Sequence, residues 1–421
     1  MKVTILAPGS RGDIQPYIAL GQGFRAAGHS VRLVTTIDHE ALVRAHHLEC
    51  SAAPISVQAA LEGREASAAI EGGGLIASFR QLAKLATRAA ELIARVGLDA
   101  SKGADLLVTG FGAALVADGI ARKLGVPLVQ AYNVPLTPTG AFPGVLFPGL
   151  DFGPRSRRLG HRLSRAALWM TGRASANGAR RAVLDAPSAP LFVPSHVEGL
   201  VEGPVVYGFS EALLPRGPEW SAAVEVTGFW FAEPPEGFTP PPGLVDFLAA
   251  GAPPVCLGFG SMTSRDPKAT SALVLDAVKQ AGVRAVVLSG WAGLEASALP
   301  SNVFVLEGVA HSWLYPRCQA VVHHGGAGTT AAALLAGVPS IVVPFHGDQP
   351  FWARRVHAAG VGPPPVPRTK LTARSLAEAM VDAANNQPQR ARAAAMGATL
   401  GAERGVERGV EAILRLAGKG R

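Results

Sequence analysis

A chain of 421 residues with 48% hydrophobic and 17% charged residues is too apolar for disorder and too long for one compact core, so two globular domains are expected. The net charge of +8 invites a nucleic-acid reading, but no basic surface with interleaved aromatic residues accompanies it, so nucleic acid is not an expected partner. The three cysteines, Cys50, Cys256 and Cys318, are far apart and lack metal-ligand spacing, which reads as free core thiols.

In chain order, residues 1–7 are too short for a signal peptide and form a first strand over 3–7. A loop follows over 8–13, then a helix with Pro16 near its first turn and Tyr17, Leu20 and Phe24 on one face. Gly28 ends that helix and a strand runs over 31–35. Further strands at 106–108 and 126–130 alternate with helical stretches, so residues 1–228 read as one doubly wound domain. The stretches 55–100 and 135–200 are less regular, the setting of loops and mobile helices that meet a variable ligand.

Between Arg155 and Arg181 lie eight arginines and no acid, together with Leu159, Leu163, Ala166, Ala167 and Trp169. This segment reads as an amphipathic basic helix, either a solvated face or a peripheral membrane contact through residues 155–181. No run reaches the ~18 to 20 apolar residues that span a bilayer. The expected location is cytoplasmic, free or peripheral to the inner face of the membrane.

Residues 229–243 read as a linker, proline-dense from 234 to 243. Strands at 255–259, 283–288, 303–306, 320–322 and 341–343 then build a second sheet in a domain over 244–400. The strand at 320–322 feeds into His323-His324-Gly325-Gly326-Ala327-Gly328-Thr329-Thr330, and an Ala/Leu-rich helix leaves it. Glycines let backbone approach an anion, and the free N–H groups and positive dipole end of the new helix face it, so a phosphate or diphosphate ligand is expected here. The helix stops at Gly337, a strand follows over 338–344, and Asp348-Gln349 comes just past it. Ligands of parallel sheets bind beyond the carboxyl ends of strands, so this pair should face the phosphate loop and grip sugar hydroxyls. The last segment, 402–416, carries Val406, Val410, Ile413 and Leu414 at helical spacing, so it is expected as a helix that packs on another element.

With these motifs placed, the chain resembles the inverting nucleotide-sugar glycosyltransferases of the GT-B fold, in particular the sterol glucosyltransferase-like and antibiotic glycosyltransferases. The resemblance runs over nearly the whole length. It rests on Gly9-Ser10-Arg11-Gly12-Asp13-Ile14-Gln15-Pro16, on Gly258-Phe259-Gly260-Ser261-Met262, and on the block from 309 to 352. It implies an α/β fold of two Rossmann-like domains facing across a cleft, the second holding the nucleotide sugar and the first the acceptor, with residues 401–421 as a C-terminal helix that packs back on the first domain. It also implies that His324 and the amides of Gly326, Ala327, Gly328 and Thr329 hold the diphosphate, with Ser261 helping. Asp348 and Gln349 would bind the transferred sugar. Val309 and His311 would border the nucleobase, where the tryptophan of plant relatives is absent and Trp291 is the candidate contact, or else packs at a strand end.

Asp13 matches the family's catalytic base, with Ser10, Arg11 and Gly12 beside it and Arg11 within range of the donor phosphates; the alternative is Asp13 as a helix N-cap. The acceptor pocket is expected to draw on Tyr132, Asn133, Phe142 and Phe147, with Phe79 and Phe111 as further candidates, although scattered Phe is commonly core. No Asp-x-Asp metal pair is evident, so a metal-independent reaction with no tightly bound cofactor is expected. The expected function is transfer of a hexose, from UDP-glucose, to a hydroxyl of a lipophilic acceptor such as a sterol or polyketide. The alternatives are a TDP-deoxysugar-dependent antibiotic glycosyltransferase, a nucleotide-sugar epimerase or hydrolase, and a non-catalytic nucleotide-binding helper. A dehydrogenase fits poorly, since Gly9-Ser10-Arg11-Gly12 lacks the Gly-x-Gly-x-x-Gly spacing.

Overall fold

The computed structural model describes residues 1–56, 75–189, 203–259, 267–288 and 299–418, with backbone alone at 75–85 and 267–268. Two compact units emerge, one of Met1–Phe209, Arg216–Ala232 and Arg404–Arg421, the other of Ser210–Pro215 and Glu233–Glu403.

The first unit holds a parallel sheet of β1 (Lys2–Leu6), β2 (Ser30–Thr36), β3 (Glu49–Ala53), β4 (Leu106–Thr109), β5 (Leu128–Tyr132), β6 (Val205–Tyr207) and β7 (Val224–Val226), in the order β3-β2-β1-β4-β5-β6-β7. The central strand β4, Leu-Leu-Val-Thr, is buried at every position, as strands covered by helices on both faces are. Register places Ile5 between Leu33 and Val108. Its helices are α1 (Arg11–Ala26), α2 (Glu40–Ala45), α3 (Leu75–Ala100), α4 (Ala114–Leu124) and α5 (Pro154–Ala182).

The second unit holds β8 (Val255–Gly258), β9 (Ala285–Leu288), β10 (Val303–Leu306), β11 (Ala320–His323) and β12 (Ser340–Val342), parallel in the order β10-β9-β8-β11-β12. Here α6 (Leu244–Ala249), α7 (Pro267–Ala281), α8 (His311–Leu314), α9 (Ala327–Leu335), α10 (Gln349–Ala358), α11 (Ala373–Asn385) and α12 (Gln387–Ala402) surround the sheet. The chain then returns to the first unit as α13 (Gly405–Gly418). Val410, Ile413 and Leu416 of α13 join the core of Ile5, Ile18, Leu20 and Phe24. Gly23 of α1 makes room for it, since a Cβ there would lie 2.5 Å from Val406.

Several elements differ from the sequence reading. The first helix begins at Arg11, inside the expected 8–13 loop, and carries Pro16 in its interior. The expected strand at 126–130 lies two residues later, because the turn after α4 passes through Gly125 at φ +66 and Pro127 before pairing begins. Strands β3, β6 and β7, three to five residues each, give too short a pattern to stand out. The stretch 55–100, read as irregular, contains the 26-residue α3, an amphipathic helix whose apolar residues recur at three- and four-residue spacing.

Candidate active site

Both sheets reverse their strand order at one point, between β1 and β4 in the first and between β8 and β11 in the second. Ligands of open α/β sheets bind outside the carboxyl ends of strands at such points. The sequence places its two strongest motifs there, Ser10 to Asp13 after β1 and His323 to Thr330 after β11.

In the first unit Ser10 is the N-cap of α1 and Asp13 stands three residues on. The Oδ2 of Asp13 accepts from the backbone N–H of Ser10 and from its hydroxyl, both at 2.8 Å. The cap is therefore Ser10, and Asp13 closes the reciprocal half of a capping box while its side chain stays exposed. Among the described residues no hydrogen bond engages Oδ1. Gly9 adopts φ +147, and a Cβ there would lie 2.6 Å from Oδ2 of Asp13, so only glycine lets the carboxylate fold back over the turn. Arg11 and Gly12 are exposed. The loops after β1 and β4 touch, a Cβ on Gly112 being 2.3 Å from the Pro8 carbonyl oxygen, which brings the half-exposed Phe111 to the same edge.

His39 was not singled out from sequence. It follows the end of β2, and its Nε2 donates to the Gly9 carbonyl at 3.1 Å, bracing the turn that carries Asp13. Burial lowers its pKa, partly opposed by Asp38. A histidine just past the carboxyl end of a strand next to β1 was the available signal.

The acceptor candidates separate. Tyr132 is buried, donates to Gln130 Oε1 at 2.9 Å and packs edge-on to Phe111. The Oδ1 of Asn133 is buried without a partner among the described residues. Phe142 is core, edge-on to Trp220 and His161. Phe147 is partly exposed. The Phe79 side chain, Ser261 and Trp291 lie outside the described residues.

In the second unit His323 ends β11 between Gly258 and Val342. Its Nδ1 accepts the Gly325 N–H at 3.1 Å, so the buried ring props the loop from within. His324 faces the other way: a Cβ on Gly326 would lie 2.5 Å from its Nε2, and its Nδ1 is buried without a partner among the described residues. Burial, with His346 nearby, pushes the His324 pKa down to about 4, and burial brings His323 down to about 3. Both rings are therefore neutral at pH 7 and act as hydrogen-bonding groups.

Gly326 is the N-cap of α9, and the first intrahelical bond runs from Thr330 N–H to the Gly326 carbonyl at 2.9 Å. The amides of Ala327, Gly328 and Thr329 precede it and have no helical acceptor. Gly325, at φ +91, packs against Val342 and the Gln349 backbone, which brings the 345–349 turn beside the glycine loop. The Oε1 of Gln349 accepts from the N–H of Phe345 at 2.8 Å and of His346 at 3.2 Å, so this oxygen shapes the turn. Asp348 Oδ2 accepts from the indole N–H of the buried Trp352 at 3.0 Å, which fixes the carboxylate. Val309 packs into the core, and His311 stacks on Tyr315 with ring centroids 4.5 Å apart.

Residues 3–101 match the Glycosyltransferase family 28 N-terminal domain, and residues 272–406 match the erythromycin biosynthesis protein CIII-like C-terminal domain. By these two matches the chain is similar to glycosyltransferases. Among curated relatives, "Sterol 3-beta-glucosyltransferase UGT80B1" of Arabidopsis thaliana is 34% identical over 395 residues, covering 90% of this chain and 62% of the relative. The sterol 3-beta-glucosyltransferase of Cryptococcus neoformans var. neoformans is 32% identical over 422 residues, 93% of this chain and 26% of the relative. The chain thus spans under two thirds of the length of these curated relatives. The crystal structure of glycosyltransferase VinC in complex with dTDP superposes with a TM-score of 0.66 over 100% of both chains at 19% identity, which shows the GT-B fold.

Proposed function

We propose that this glycosyltransferase moves a hexose, glucose from UDP-glucose, onto a hydroxyl of a lipophilic acceptor such as a sterol or polyketide, with inversion at the anomeric carbon. The observation that carries the reading is the buried, neutral His324 set against Gly326 where α9 begins, beside the turn of Asp348 and Gln349. That arrangement offers a diphosphate one imidazole, three unsatisfied amides and a helix dipole, and offers a sugar a carboxylate fixed by Trp352. In the reaction the acceptor oxygen bonds to the anomeric carbon as the carbon–oxygen bond to the diphosphate breaks on the opposite face. Asp13 takes the hydroxyl proton. The α9 amides and His324 stabilise the charge that gathers on the leaving diphosphate, with Ser10, Arg11, Ser261, Val309, His311 and Trp291 as further donor contacts. Tyr132, Asn133, Phe147 and Phe111 would contribute to the acceptor pocket.

The relatives named for sterol glucosylation support glucose and a sterol-like acceptor, while the dTDP complex of a structural relative keeps a TDP-linked deoxysugar as the second reading. A lipophilic acceptor resides in membranes, and peripheral membrane contact through residues 155–181 belongs to the same reading. The test is mass-spectrometric detection of acceptor plus hexose, with UDP-glucose and TDP-glucose offered against sterols, flavonoids and macrolides in EDTA. Product from UDP-glucose supports the first reading and product from the TDP sugar the second. Donor consumed without transfer would instead indicate hydrolysis or epimerisation.

A further inference from the structure

We infer that α5 is a docking surface for an anionic phospholipid bilayer. The inner face of this helix is committed to the first unit: His161, Ser164, Trp169, Ala176 and Asn177 are buried, and Gly172 and Gly178 let Leu115 and Thr87 approach. The outer face is different. Leu159, Leu163, Ala166 and Met170 follow one another at spacings of four, three and four, which aligns them along one side of a helix. Leu159 is 50% exposed, Leu163 40% and Met170 56%. Phe152, in the turn before the helix, is 87% exposed.

The charge around the ridge selects the occupant. Arg155, Arg158 and Arg162 recur at the same three- and four-residue spacing along its flank, all exposed. Arg157 is paired with Asp151 and Arg158 with Glu219, but the helix itself contributes no acid. An exposed apolar ridge flanked by an excess of arginine matches the interface of an anionic bilayer, where the ridge enters the acyl boundary and guanidinium groups such as those of Arg155 and Arg162 meet phosphates. A protein partner would be expected to meet a mixed-charge rim rather than one sign of charge along a single ridge. Among the described residues no helix is long and apolar enough to cross a membrane, so the contact is peripheral.

The experiment is co-sedimentation of the full chain with vesicles of phosphatidylcholine alone, or with about one third phosphatidylglycerol. Binding is expected to the anionic vesicles only, and to weaken as salt rises above about 0.15 M. Arg155→Gln with Arg162→Gln should weaken partition by roughly twenty- to thirty-fold, about five-fold per charge removed. Phe152→Ser with Leu159→Ser should weaken it comparably, with unchanged circular dichroism and Tm. Wild-type chain that leaves anionic vesicles unbound overturns the inference, and so do folded variants that bind like wild type. Wild-type self-association in solution that the Phe152→Ser, Leu159→Ser variant lacks would assign the ridge to a second copy instead. Because the readout is partition, it stands apart from the outcome of the transfer assay.

Discussion

At the scale of single residues, two glycines shape the loops that carry Asp13 and His324, each for a different reason. Gly326 has ordinary extended dihedrals, φ −61 and ψ 146, so alanine is tolerated by the backbone there, but its Cβ would displace the His324 ring. Gly326→Ala is therefore expected to keep its Tm and lose donor affinity by about ten-fold or more, measured by UDP titration calorimetry. Gly9→Ala meets both an unfavourable φ and the Asp13 carboxylate, so kcat should fall with little change in donor binding. Buried histidines also set the acid limit of stability. Burial holds His161 and His324 at about 4 and His323 at about 3, whereas the unfolded chain takes up these protons near 6.5. Between those values the unfolded state binds more protons, so stability is full above pH 6.5 and falls as pH drops toward 4, on the order of 2 kcal/mol for each ring at pH 5. Thermal unfolding at pH 7.5 and pH 5 should show the fall, and His161→Gln, which can still donate to the Phe142 carbonyl, should flatten it. The loop of His324 and Gly326 was legible as a strand-to-helix turn, because close backbone packing there needs particular residue types in a short run. His39 was not, because its role depends on β2 lying beside β1, a contact that no local pattern encodes.

At the scale of elements, α13 shows how sequence periodicity becomes tertiary structure. The spacing of Val406, Val410, Ile413 and Leu414 requires a packing partner but does not say which; the structure supplies α1 and the core beneath it. Fit depends on small residues: a Cβ on Gly405 would lie 2.2 Å from the Phe229 carbonyl, and one on Gly409 2.7 Å from Trp230. Ile413→Ala should cost about 2–5 kcal/mol in chemical denaturation of the first unit, as cavity formation at a fully buried position does. Apolar strands that run into a glycine-containing loop, such as β1 before Gly9 and β11 before Gly325, could be read directly. The short strands β6 and β7 could not, because their three residues each are strands only by virtue of pairing with β5 and with one another.

At the scale of the whole molecule, each unit has buried apolar clusters of its own, which divides the stability between the two. A nucleotide that binds the second unit should raise one calorimetric transition, by RT ln(1 + [L]/Kd), and leave the other in place. Gly326→Ala should abolish that shift, which identifies the responsive transition. The central claim is that the second unit holds the donor while Asp13 of the first removes the acceptor proton. The most direct test is hexose transfer by Asp13→Asn compared with wild type, with UDP affinity measured on the same samples. The account requires product formation to fall by about 10²-fold or more while UDP affinity stays within two-fold or so. Asp13→Asn that still transfers at the wild-type rate would show that Asp13 only closes the helix cap and that the base lies elsewhere.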